Sequence, residues 1–128
     1  VEALGDNPNE RAQMELNVCR IIGIHLRSVW NTIRFYRARD AFFNSCGSEQ
    51  ALRSSIGRLR DIVNDEIENA QNALPILESD FRIGFGYSYG QVYDEEMVRD
   101  KIRQCEYVRD VELPDLESGI MFHVHQKY

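Results

Sequence analysis

The chain has 128 residues and a formal net charge of -6, with 43% hydrophobic and 28% charged residues. That length suits one domain with a buried core, and the ordinary apolar content excludes a disordered chain. The acidic balance excludes a general nucleic-acid binder, which needs a basic face, and no apolar run approaches the roughly 20 residues of a membrane span.

No secretory signal is visible at the N-terminus. The first residue is Val1, from which a processed product, a subunit or an excised piece of a longer protein is expected. Residues up to Asn7 read as a tail. Asp6 or Asn7 can cap a helix that begins near Pro8, since proline suits the first helical turn. From there to Cys46 the apolar residues Met14, Val18, Ile21, Ile22, Leu26, Val29, Trp30, Ile33, Tyr36 and Phe43 recur mostly at spacings of three and four. This pattern predicts one long amphipathic helix, about 8–46, ended by Gly47. Gly23 costs that helix about 1 kcal/mol unless it serves a close approach. The aromatic group of Trp30, Phe35, Tyr36, Phe42 and Phe43 reads as core or interface. His25, near the same side, reads as a satisfied buried histidine.

Ser48 then caps a second helix, about 48–74, with Glu49 in its first turn. Its stripe is Leu52, Ile56, Leu59, Val63, Ile67, Ala70 and Leu74, and Pro75 is expected to end it. The short connection at Gly47 predicts an antiparallel hairpin. Folding there sets Arg27 opposite roughly Ile67 and Arg20 opposite roughly Leu74. The row Arg20, Arg27 and Arg34, spaced by sevens, then meets Asp61, Asp65, Glu66 and Glu68. Incidental surface pairs of that kind contribute only about 0–1 kcal/mol each. Glu66 lies on the inner side between Val63 and Ala70, so it needs a partner; a structural ion pair with Arg27, or failing that Arg82, is expected.

Residues 76–93 lose the helical period and pass into an irregular loop rich in glycine and tyrosine. Asp94 caps a third helix, about 94–110, carrying Met97, Val98, Ile102 and Cys105. The end, 120–128, alternates and reads as a short strand or extended arm. The fold class is therefore all-α: a long hairpin, a third helix, and an extended C-terminal arm.

Chemistry has few candidates. Glu66, Glu78 and Asp80 could supply the carboxylate pair of a glycosidase, though spacing does not select that role. His123 and His125 would share one side of a strand, but a zinc site needs a third ligand and His25 is distant in sequence. No residue pattern in the sequence points to a metal or a cofactor. Cys19, Cys46 and Cys105 lack metal-type spacing and are expected as reduced structural thiols, with a Cys46–Cys105 bridge geometrically open. The compartment is left unknown. The run from Gly84 to Gly90 lacks the paired lysine and hydroxyl of a phosphate loop, and no strand is expected before it. Asp80, Arg82, Phe85, Tyr87, Tyr89 and Tyr93 suit contact with a partner or a sugar face, or simply cap the hairpin's open end.

Glu66, Asn69, Ala70, Leu74, Glu78, Asp80, Arg82, Gly84 and Phe85, followed by Tyr93 and the helix through Arg99 and Arg103, resemble a known region. It is the helical C-terminal part of large multidomain bacterial glycoside-hydrolase-like proteins, and the likeness covers about residues 55–110. This chain has no barrel, so no catalytic residue carries over. The resemblance implies a non-catalytic helical companion of a carbohydrate-active module, packed on it and lining one side of its cleft. Two alternatives stand beside it: a self-contained helical dimerisation protein, and a small glycosidase using Glu66 and Asp80.

Overall fold

The computed structural model of the chain describes residues 7–45, 48–80, 82–83 and 93–126, with the backbone alone from 120 onward. The fold is all-α: α1 (Pro8–Asn44), α2 (Glu49–Ser79), α3 (Glu95–Tyr107), a π-helical turn (Val108–Glu112) and α4 (Leu113–Gln126). Among the described residues no helix is long and apolar enough to cross a membrane.

Three side chains start the helices as the sequence predicts. Asn7 Oδ1 accepts the Asn9 N–H at 3.0 Å, Ser48 Oγ accepts the Ala51 N–H at 3.3 Å, and Asp94 Oδ1 accepts the Met97 N–H at 2.8 Å. Each satisfies one of the free donors at a helix start. With only a short connection from Asn44 to Glu49, α1 and α2 pair antiparallel. The Arg34 guanidinium meets Asp65 at 2.9 Å, within the expected register.

Both α1 and the rod formed by α3, the π turn and α4 pack on α2. Val98 of α3 joins Ile21 and the end of α2 at Ala70, Ala73, Ile76 and Leu77. Leu113 of α4 joins Ala38 and Phe42 of α1 with Ile56, Leu59 and Ile62 near the start of α2. The rod therefore runs antiparallel to α2 along its whole length. This explains why so much of α2 is buried: it is enclosed from two sides.

Three expectations are corrected. First, Pro75 does not end α2, which continues to Ser79. A proline removes one internal hydrogen bond, here at Gln71, whose carbonyl can bond water because Gln71 is exposed. Burial of Ala73, Ile76 and Leu77 holds the last turn. Second, the third helix does not stop at Asp110 before an extended arm. The π turn widens the helix ahead of Pro114, with the Leu113 N–H reaching back five residues to the Val108 carbonyl. That extra residue accommodates a ring that would crowd the carbonyl four positions earlier. The chain then goes on as α4, where 120–126 is helical.

Third, the side of α1 that packs is another one. Its inner row is Asn17, Ile21, Ile24, Ser28, Asn31, Phe35, Ala38 and Phe42, all buried or half-buried. Spacings alternate between four and three, the repeat of a helix–helix seam. Of the residues expected to pack, Ile22, Leu26, Val29, Trp30, Ile33 and Tyr36 are 46–67% exposed. The polar groups of α2 explain the choice. Buried Glu66 must be hydrogen-bonded, and the Ser28–Asn31 side can do so where the apolar side cannot.

Candidate functional site

Glu66 is the one carboxylate set inside the three-helix contact, 8% exposed. The Ser28 hydroxyl donates to its Oε1 at 2.6 Å and the Asn31 amide to its Oε2 at 2.7 Å. The Lys101 ammonium of α3 pairs with Oε1 and also donates to Ser28 Oγ. Arg34 in turn donates to Asn31 Oδ1 at 3.2 Å, which orients the amide toward Glu66. Burial pushes the pKa of Glu66 up, but the hydrogen bonds from Lys101, Ser28 and Asn31 outweigh burial and hold it below the usual carboxylate value. The group is thus an ionised, fully engaged acceptor, unsuited to donate a proton. Sequence reasoning places Glu66 inward correctly, but its cation is Lys101 and not Arg27. Arg27 lies one position from Ser28, on the other flank of α1, where it is exposed beside Arg20.

Asp80 closes α2 and is 3% exposed. Arg82 holds it from both sides, Nε to Oδ1 and a terminal nitrogen to Oδ2, each at 3.0 Å. These bonds keep the Asp80 pKa below its usual value. Along α2, Glu66 and Asp80 lie about 21 Å apart at 1.5 Å per residue. A glycosidase pair needs roughly 5–9.5 Å, so the two do not form one. Glu78 is at the surface, 3.2 Å from Arg99.

Of the expected contact loop, Arg82 and Tyr93 are placed; Phe85, Tyr87 and Tyr89 lie outside the described residues. Tyr93 is half-buried with its ring 4.5 Å from that of His25, and burial raises its phenol pKa. His25 is exposed rather than core. His123 and His125 fall on the helical backbone of α4 and not on a strand. Among the described residues no group of three or more His, Cys, Asp or Glu could hold a metal. Cys19 and Cys105 are free thiols, and Cys46 lies outside the described residues.

Two surfaces remain. A cleft of about 400 Å³ opens between α1 and α3 above the Glu66–Lys101 pair, walled by Phe35, Tyr36, Val63, Gln104 and Cys105. The other is the outer side of α1. Ile22, Leu26, Val29, Ile33 and Tyr36 line it at spacings of four, three, four and three, with Trp30 beside them, 46–67% exposed. Such a patch amounts to on the order of 600 Å² of apolar surface, the upper end of what monomers carry. Among the described elements α2, α3 and α4 all meet α1 on its inner side, through Ile21, Ser28, Ala38 and Phe42. The period picks these residues out in the sequence as the packing stripe of α1, with Trp30 and Tyr36 as core or interface. The signal that separates the two seams is that one row carries Asn17, Ser28 and Asn31, which only a polar partner satisfies.

Comparisons of the chain with models of protein families, with curated proteins and with solved structures return no significant match.

Proposed function

We propose that this chain is a non-catalytic helical accessory domain of a larger glycan-processing protein, acting by packing on a neighbouring module through the outer side of α1. The observation that carries this reading is the apolar row from Ile22 to Tyr36, facing away from α2. Its area approaches the roughly 800 Å² per partner of a standard interface. The engaged state of Glu66 and Asp80 supports a structural rather than a catalytic use of both. The carbohydrate context rests on the resemblance of residues 55–110, and the stretch from Asp80 to Tyr93 is its sugar-facing or module-facing edge.

Hydroxyl-radical footprinting tests the packing. Leu26, Trp30 and Tyr36 are expected to label strongly in the isolated chain and weakly when the chain is examined together with its neighbouring module. Equal labelling in both sinks the reading. The rival, a self-contained dimerisation protein, is favoured by the same row being a helix-pairing repeat. A homodimer that persists on dilution in sedimentation would select it.

A further inference from the structure

The reading of the outer side of α1 as an interface leaves open what covers it, and the inference below rests on that reading. We infer that its occupant is a single acidic amphipathic α-helix laid along α1.

Shape argues for a helix. Ile22, Leu26, Val29, Ile33 and Tyr36 occupy two adjacent rows of the heptad, a narrow seam about 21 Å long. Knobs spaced by four and three fit the holes of another helix crossing at about 20°. Gly23 adjoins this seam, and a side chain added there would meet nothing within 4 Å. No contact among the described residues uses the glycine, although it costs a helix interior about 1 kcal/mol. Its bare surface opens the seam toward Arg20 and Arg27.

Charge argues for acidity. Between Leu16 and Arg39 the chain has Arg20, Arg27, Arg34, Arg37 and Arg39 and no Asp or Glu. Arg34 is taken by Asp65 and Arg39 by Asp40. Arg20, Arg27 and Arg37 have no ion pair among the described residues. Arg20 and Arg27 edge a groove of about 490 Å³ between α1 and α2 that also holds the exposed Asn72, a donor able to receive a carboxylate. A second copy would bring three more unpaired guanidinium groups and no acid from this stretch. An anionic membrane would attract the arginines but repel a chain of net charge -6, and a two-row seam offers it little width.

The test uses Trp30, the chain's only tryptophan, as its reporter. Two tryptophan-free four-heptad peptides share one leucine and isoleucine core, and one is flanked by glutamates, the other by lysines. The glutamate peptide is expected to shift Trp30 emission to the blue saturably and to bind at least about tenfold tighter than the lysine peptide at low salt. That preference shrinks near 0.5 M salt, where screening shortens to a few ångströms. Arg27→Glu with Arg37→Glu reverses it, and Leu26→Glu abolishes binding of both peptides while circular dichroism stays helical. Equal affinity for both peptides overturns the proposal. So does a homodimer with Trp30 already shielded, or a stronger blue shift with phosphatidylserine vesicles than with the glutamate peptide. If neither peptide binds yet footprinting shows the row covered in the presence of the neighbouring module, the interface stands and the helix falls. If the row also labels fully there, both fall.

Discussion

The two sides of α1 differ in the opposite sense to a simple surface helix. The side against α2 carries Asn17, Ser28, Asn31 and Ala38 among its contacts, whereas the side away from α2 is almost wholly apolar across Ile22, Leu26, Val29, Ile33 and Tyr36. Burial of apolar area alone would turn the helix around. What turns it this way is the partner: α2 presents Glu66 and Asn69, and leaving these without hydrogen bonds in the interior costs more than exposing a few aliphatic side chains. Asn69 donates to the Ile24 carbonyl at 2.9 Å, and Glu66 collects donors from two helices. Polarity sets the register, and the small residues Ala38, Ala70 and Ala73 permit close packing.

The sharpest way to break this comparison is to delete volume on each side in turn. Ile21→Ala, in the buried cluster with Ala73 and Val98, is expected to destabilise by about 3 kcal/mol. Leu26→Ala on the outer side is expected to cost under about 0.5 kcal/mol in the isolated chain. Urea unfolding followed by circular dichroism measures both. Similar costs would mean that the outer side is already buried in solution.

Next in size is the polar knot. Glu66→Ala leaves the Asn31 amide and the Lys101 ammonium without their acceptor, and about 2 kcal/mol of destabilisation is expected. The figure stays moderate because the Lys101 side chain is 41% exposed and can rehydrate. A change below about 0.5 kcal/mol would remove Glu66 as the reason for the register.

The same knot has a pH signature. Glu66 and Asp80 both have folded pKa values below their usual 4.5 and 3.8. The unfolded chain therefore binds protons first on acidification, so their contribution is complete above those usual values and lost as pH falls through the folded ones. Stability is expected to decline below about pH 4.5 in the parent, and less steeply in Glu66→Gln. Parallel acid profiles of the two would sink this assignment.

Much of the architecture is legible in the sequence, because local chemistry specifies it. Asn7, Ser48 and Asp94 start the helices at their caps, and the short connection from Asn44 to Glu49 brings Arg34 to Asp65. What fails depends on tertiary context. Pro75 is a stop signal unless the next turn is buried, as Ile76 and Leu77 are. Pro114 is a barrier unless a π turn precedes it. Lys101 is invisible as the partner of Glu66 because the rod, not the hairpin, delivers it. The outer row is legible as a seam by its spacing, but spacing alone does not say which of two seams α2 takes.

The smallest effect tests both sides of α1 at once. Gly23→Ala adds a methyl group into open space on a helix interior, so stability of the isolated chain is expected to rise by about 0.5–1 kcal/mol. A partner helix lying close over Gly23 would meet that methyl, so affinity for the glutamate-flanked peptide is expected to fall in the same variant. Opposite signs in thermal unfolding and in peptide titration mark a position kept for contact with something outside the chain. A gain in stability with unchanged binding would leave Gly23 without a role on the outer side and shift the seam's centre toward Ile33 and Tyr36. A loss of stability would show that the methyl meets an obstacle within the chain, and the outer side would then be narrower than the exposed row implies.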